Sequence, residues 1–306
     1  RDPAYQTHLA ELKQTLNDAE ARYEALVIPD VQAACDLLLP QYRQSEAADG
    51  FVSLEVSPFL ANDEAGTLAA ARRLWQAVNR PNLMIKVPAT AAGVAVFEQL
   101  IAEGLNVNIT LMFSQQHVEA VFAAYVRGLE RRLAAGQSLH GIKAVASVFM
   151  SRVDTLVDKL LDRHGSDEAL VLRGRAAVAM AKAAYRYYRE LFHGPRFAAL
   201  KAAGARPQYL LWASTGTKNP AYSDVLYIEE LIGEETVNTA PDATLAAFRD
   251  HGEAAPTLVR DVAAADAVLA QLAELDVDLL AVGEQLQREG LKLFDEAFEK
   301  LLTLTA

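Results

Sequence analysis

The stretch Leu83-Met84-Ile85-Lys86-Val87-Pro88-Ala89-Thr90 decides the fold. Five of its first six residues are apolar, the pattern of a parallel strand covered on both faces, and the single exception is a lysine. Two readings of Lys86 are open on the octapeptide alone. In one, it sits at the open end of the strand and reaches water along its aliphatic stem. In the other, an ammonium desolvated inside a barrel gives up its proton more readily and becomes an amine nucleophile able to form a Schiff base. Pro88-Ala89-Thr90-Ala91-Ala92-Gly93 then turns the chain and starts a helix. That is how a strand delivers a residue to an active face.

Outward from this strand the chain alternates. Upstream, Phe51-Val52-Ser53-Leu54-Glu55-Val56 reads as a strand with Ser53 and Glu55 on the face opposite Val52, Leu54 and Val56, followed by a helix over about 63–78. Downstream, a helix over about 91–103 ends at Gly104, and Asn106-Val107-Asn108-Ile109-Thr110-Leu111 alternates strictly, with Asn108 and Thr110 on its polar face. An amphipathic helix over 114–134 carries Val118, Val121, Phe122, Tyr125, Leu129 and Leu133 on one stripe. Ala144–Phe149 is the next strand, with Met150-Ser151-Arg152 at its mouth. A long helical connection follows, an insertion over about 153–206 with no second core. Tyr209–Ser214 is a further buried strand leading into Thr215-Gly216-Thr217-Lys218-Asn219-Pro220, and Thr236-Val237-Asn238 is a short one. Pro241 fits the first turn of the helix after it. The remainder, about 258–305, is helical, and residues 5–22 and 30–46 carry helical periodicity with no strand signal.

Composition narrows the function. The 306 residues are 52% apolar, enough for a single α/β barrel domain spanning 1–306. A net charge of −11 argues against nucleic acid or an anionic membrane surface, which need clustered Lys and Arg, and points to a small soluble substrate. The lone Cys35 sits in an apolar helical run as a core residue. The six histidines show no metal-ligand spacing, no apolar run reaches the length of a membrane span, and no signal peptide is present, so a cytosolic protein is expected.

Strand–helix alternation is the order of a parallel α/β protein. An open doubly wound sheet would carry a glycine-rich phosphate loop after an early strand, and none occurs. Instead polar residues recur toward the C-terminal ends of successive strands: Glu55, Lys86, Asn108 with Thr110, Ser147 with Arg152, and Ser214 with Lys218. A (β/α)8 TIM barrel keeps its chemistry there.

Taken together, these motifs resemble transaldolase of the longer bacterial type, from about residue 50 to the C-terminus. Leu-Met-Ile-Lys86-Val-Pro-Ala-Thr resembles the family's Schiff-base strand, and Asn106-Val-Asn108-Ile-Thr110-Leu-Met-Phe-Ser resembles its next strand. Ser147-Val-Phe149-Met-Ser-Arg152 is similar to its phosphate strand, and Trp-Ala-Ser214-Thr-Gly-Thr-Lys218-Asn to its last phosphate segment. The resemblance implies that Lys86 attacks the C2 ketone of a ketose phosphate and that the imine accepts electrons as the C3–C4 bond breaks. It implies that Glu55 relays protons through a water held by Thr110, and that Asn108 positions sugar hydroxyls. Ser147, Arg152, Ser214 and Lys218 are implied at the phosphate end. Lys218 departs from shorter transaldolases, which carry an arginine there, and a lysine binds phosphate without the two-oxygen fork. The implied reaction is reversible transfer of a dihydroxyacetone unit from a ketose phosphate (sedoheptulose 7-phosphate or fructose 6-phosphate) to an aldose phosphate in the pentose phosphate pathway. It needs no metal and no cofactor, and either a monomer or a homodimer is compatible with it.

Two alternatives belong beside this reading. Fructose 6-phosphate aldolases of the same superfamily release free dihydroxyacetone; they carry Gln where this chain has Glu55 and Tyr where it has Phe149. A catalytically silent barrel serving as a binding module is the other. The strand count is also incomplete. Six strands follow residue 51 where a barrel requires eight, and neither the aspartate base nor the asparagine of the family's first two strands is recognisable before it. The expectation is a missing or truncated segment, six consecutive barrel strands with a gap for two more, and an active site that an aspartate from an absent strand completes.

Overall fold

The computed structural model describes residues 3–306, with side chains described from residue 5. Its centre is one parallel sheet: β1 (Val52–Glu55), β2 (Leu83–Pro88), β3 (Val107–Met112), β4 (Ala144–Phe149), β5 (Tyr209–Ala213) and β6 (Thr236–Asn238), hydrogen-bonded in sequence order. Among the described residues β1 and β6 each pair on one side only. The sheet is thus the arc that six of the eight strands of a (β/α)8 barrel form, as the strand count predicts. Register explains why the polar residues meet. Glu55 lies opposite Lys86, and Lys86 opposite Asn108, so three polar side chains share one rung of the inner face. The outward residues Leu54, Ile85, Val107, Ile109, Ala146 and Trp212 pack in a continuous apolar core beneath the helices.

The helices start where capping chemistry allows. α1 (Pro3–Thr15) and α2 (Ala19–Gln44) precede the sheet, and the carboxylate of Asp18 accepts from the Ala21 N–H to begin α2. The break therefore falls at 16–18 rather than between 23 and 29 as periodicity suggests, and α2 runs through Pro29 and Pro40. Burial of Leu26 with packing of Val27 and Ile28 on the core offsets the hydrogen bonds these prolines remove. α3 (Glu64–Val78), α4 (Ala91–Glu103) and α5 (Gln115–Ala134) are capped by Asp63, Thr90 and Ser114, and Gly104 closes α4 in the left-handed region at φ 91°. Leu133, placed on the apolar stripe by its spacing, is 43% exposed, because the last turn of α5 leads into a surface turn at Gly136.

Between β4 and β5 come α6 (Ser151–His164), α7 (Asp167–Leu170), α8 (Ala176–Phe192) and α9 (Pro195–Ala202). Asp154 on α6 fixes this layer, accepting from the Ala177 N–H at 2.8 Å and the Tyr227 hydroxyl at 2.6 Å. One turn on, Asp158 accepts from the Gly174 N–H and the Tyr222 hydroxyl. α10 (Leu226–Glu229), α11 (Asp242–His251), α12 (Val262–Glu274) and α13 (Leu279–Thr305) complete the chain. Pro241 stands one residue before α11 rather than in its first turn.

α13 matters most for the site, because it lies across the C-terminal strand ends. Its Gln287 amide donates to the carbonyls of Ala89 and Leu111, at 2.9 and 3.0 Å. Leu111 is the irregular residue of β3, with φ 61° where the register to β4 slips, a conformation costing a non-glycine residue about 1–3 kcal/mol. Gly283 permits the close crossing: a Cβ there would stand 2.8 Å from the Ser114 Cβ.

Candidate active site

A cavity of about 530 Å³ occupies the inner face of the sheet, lined by Glu55, Lys86, Asn108, Thr110, Ser147 and Phe149 together with Ser53 and Lys143. The sequence-expected residues of the first four strands therefore converge. Lys86 Nζ lies 3.2 Å from Glu55 Oε2, both side chains being about a quarter exposed. The ring of Phe294 on α13 stands 5.6 Å from the same ammonium. Burial pushes the Glu55 carboxyl above the usual carboxylate range, and the Lys86 charge only partly pulls it back. A carboxyl raised in this way, in contact with an amine, can take that amine's proton and return it at a higher pH than a surface glutamate could.

Asn108 is held from both sides. Its amide donates to the Ser53 hydroxyl at 3.1 Å, and its carbonyl oxygen accepts from the Ser147 hydroxyl at 2.6 Å. Those bonds orient a group suited to sugar hydroxyls. The Thr110 hydroxyl, one rung above, is fully buried and has no hydrogen-bond partner. A buried hydroxyl in that condition calls for a water or a ligand.

The residues expected to face a phosphate are less concentrated. Phe149 lines the cavity, its ring 5.1 Å from that of Phe113, and the Arg152 guanidinium stands 5.5 Å from the Phe149 centroid. Arg152 itself opens into a neighbouring cleft of about 540 Å³ between α6 and α13, and burial lowers its affinity for its proton. The Ser214 hydroxyl shares a 2.9 Å hydrogen bond with that of Ser151, and Ser214 adopts φ 54° at the end of β5. Lys218 is exposed on the following loop and lines neither cavity nor cleft. The fold thus brings together Lys86, Glu55, Asn108, Thr110, Ser147 and Phe149, sets Arg152 and Ser214 at their edge, and leaves Lys218 apart.

Sequence reasoning gave no role to several neighbours. Ser53 shares the alternation of Glu55, which was signal enough to find it. Gln287 and Phe294 had none, since helical periodicity does not say which strand ends a helix will cover. Lys143, just before β4, is 2% exposed, with its ammonium 3.0 Å from the Tyr209 ring centroid. Burial, with help from Arg206, brings it down to about 7 against the pull of Glu235. Two amines therefore line one cavity, and Lys86 is the one with a carboxylate in contact. The cavity's other carboxylate, Asp49, precedes β1 and so sits at the opposite end of the strands from Glu55. Among the described residues no group of three His, Cys, Asp or Glu side chains is arranged to hold a metal ion, and no helix is long and apolar enough to cross a membrane.

Known proteins resemble this chain in sequence over nearly its whole length. The Transaldolase/Fructose-6-phosphate aldolase family profile matches residues 1–305. A Thiobacillus denitrificans protein named transaldolase is 58% identical over 300 residues, covering 98% of this chain and 84% of its own. Transaldolases of Neisseria gonorrhoeae and Mycolicibacterium smegmatis are 50% and 47% identical, covering 98% and 99% of this chain and 84% and 82% of theirs. The likeness extends through the first 50 residues, where no motif was readable. With the profile matching residues 1–305 and a relative 58% identical over 98% of its length, the chain belongs to the transaldolase/fructose-6-phosphate aldolase family.

Proposed function

We propose that the chain is a transaldolase that moves a dihydroxyacetone unit between sugar phosphates through an imine on Lys86. The observation that carries the reading is the 3.2 Å contact between Lys86 and a partly buried carboxyl, Glu55, in a cavity that also holds the orphaned Thr110 hydroxyl. Glu55 takes a proton from the ammonium, and the neutral amine adds to the C2 ketone. The carbinolamine then loses water, with the proton returned by Glu55 through a water seated on Thr110. The iminium draws in the electrons of the C3–C4 bond as the C4 hydroxyl gives its proton to a general base, the role the resemblance gives to an aspartate, and the aldose departs. The enamine that remains adds to an incoming aldehyde, and hydrolysis of the new imine frees Lys86. Asn108, fixed by Ser53 and Ser147, orients the sugar hydroxyls. Phe149 presents an apolar ring where a polar group would organise water against the enamine. The substrate phosphate is assigned to Arg152 and the Ser151–Ser214 hydroxyl pair, with the exposed Lys218 as a more distant positive charge. The lone, buried, unbridged Cys35 and the absence of a long apolar helix among the described residues support the cytoplasm as the compartment.

Glu55 and Phe149 also favour transfer over release of free dihydroxyacetone, since aldolases of the superfamily carry Gln and Tyr in those places. The test is borohydride reduction in the presence of fructose 6-phosphate, followed by peptide mapping. The adduct is expected on the peptide holding Lys86; an adduct confined to Lys143 or another lysine overturns the assignment. Its mass separates the steps, six carbons marking imine formation and three marking C3–C4 cleavage.

A further inference from the structure

The cleft that receives Arg152 has a charge pattern unlike the rest of the surface. α6 buries Val153, Asp154, Val157, Asp158 and Leu161, and its opposite face turns Arg152, Lys159 and Arg163 toward that cleft. At 100° per residue these three lie within about 40° of one another, a single row. Among the described residues none of them forms an ion pair or a side-chain hydrogen bond, whereas eight other arginines, from Arg72 to Arg196, each hold a carboxylate. The one carboxylate lining the cleft, Glu289, accepts instead from the Gln285 amide at 2.8 Å. In a chain with net charge −11, three converging cations left without counter-ions make a strongly positive recess.

We propose that the α6–α13 cleft holds a second phosphoryl group, so that small polyols with phosphates about 10 Å apart bind more tightly than their monophosphates, the spacing being the rise of seven helical residues. The inference rests on the assignment of the first phosphate to Arg152; Lys159 and Arg163 take the second. Guanidinium and ammonium donors both suit a phosphate dianion, which accepts several charge-assisted hydrogen bonds at once. With the inner phosphate on Arg152 and the outer one on α6, the carbon chain lies along the cleft and away from Lys86. Such a ligand competes with substrate without being cleaved.

Calorimetric titration of the intact chain with glucitol 1,6-bisphosphate, glucitol 6-phosphate and 1,3-propanediol bisphosphate tests this, because none of the three has a carbonyl for Lys86. The six-carbon bisphosphate is expected to bind about 10-fold tighter than the monophosphate, and the three-carbon one, too short to span, to gain little. The double variant Lys159→Ala/Arg163→Ala should lose that preference while binding the monophosphate within about 2-fold of the parent. Equal affinities in the parent, an equal gain for the short bisphosphate, or a preference that survives the double substitution would each overturn the outer subsite. Arg152→Ala is the separate control. If it leaves monophosphate binding unchanged, the first phosphate has been placed wrongly.

Discussion

Replacing Glu55 with Gln removes one proton carrier and keeps the shape of the cavity, so it isolates the proposed relay. The amide can still accept from Lys86 Nζ across the 3.2 Å contact but cannot move a proton. General acid–base assistance contributes about 10²–10⁴-fold, so kcat should fall by that factor, on the order of 3–5 kcal/mol of lost transition-state stabilisation. KM should change far less, since Glu55 contacts the amine and not the phosphate end. The pH profile supplies a second readout. Because burial raises the Glu55 carboxyl, the protonated form persists above the ordinary glutamate range, and the acid limb attributable to it should lie above pH 4.5. In Glu55→Gln that limb should disappear. Stopped-flow trapping with borohydride should show slower imine formation, with Lys86→Arg giving none. A Glu55→Gln enzyme with kcat within 10-fold of the parent, or with the same acid limb, would refute the relay.

Three further outcomes are expected. Phe149→Tyr places a hydroxyl beside the enamine and should raise free dihydroxyacetone relative to transfer product; an unchanged ratio by product analysis would count against the dry-ring argument. Arg152→Ala should weaken ketose phosphate binding by about 1.5–3 kcal/mol, and the exposed Lys218→Ala by less, as measured by KM and direct titration; the reverse order would relocate the fork. Asp154, 1% exposed, is pushed up to about 6 chiefly by burial. A carboxyl raised in the folded state stabilises the fold below its unfolded pKa near 3.9 and loses that contribution as pH rises through about 6. Between pH 4 and 7, urea unfolding should therefore show Asp154→Asn gaining on the parent by roughly 2 kcal/mol, and a pH-independent difference would sink the idea.

The strands and their inward residues were legible because they rest on period-two alternation, which a parallel sheet enforces locally. A lone lysine among apolar neighbours, or Glu55 alternating with Leu54 and Val56, has few places to point. The helical stretches were legible in place but neither in number nor in contact, the insertion before β5 dividing into four helices. Nothing in the apolar periodicity of 279–305 says that Gln287 will hold the carbonyls of Ala89 and Leu111, nearly 200 positions back, or that Phe294 will face Lys86. Arg152 shows the same limit, since a residue at a strand mouth can turn inward or onto its own helix, and here it lines the outer cleft. The α2 boundary was misread because apolar spacing is interrupted between 23 and 29, while the helix runs on through that stretch with Leu26 buried.

The reach of α13 has a consequence for how the protein is made. The same helix that covers Lys86 also meets α2, where the Arg22 guanidinium donates to the Thr305 carbonyl across 283 positions of sequence. A ribosome adds α13 long after the lysine strand, at about 5–20 residues per second, so a nascent chain holds that strand for many seconds without a roof. Closing so long a loop is entropically expensive and slow compared with the local strand–helix pairings. Newly synthesised molecules should accordingly pass through a stage in which the amine is open to stray aldehydes, and the docking of α13 ends it.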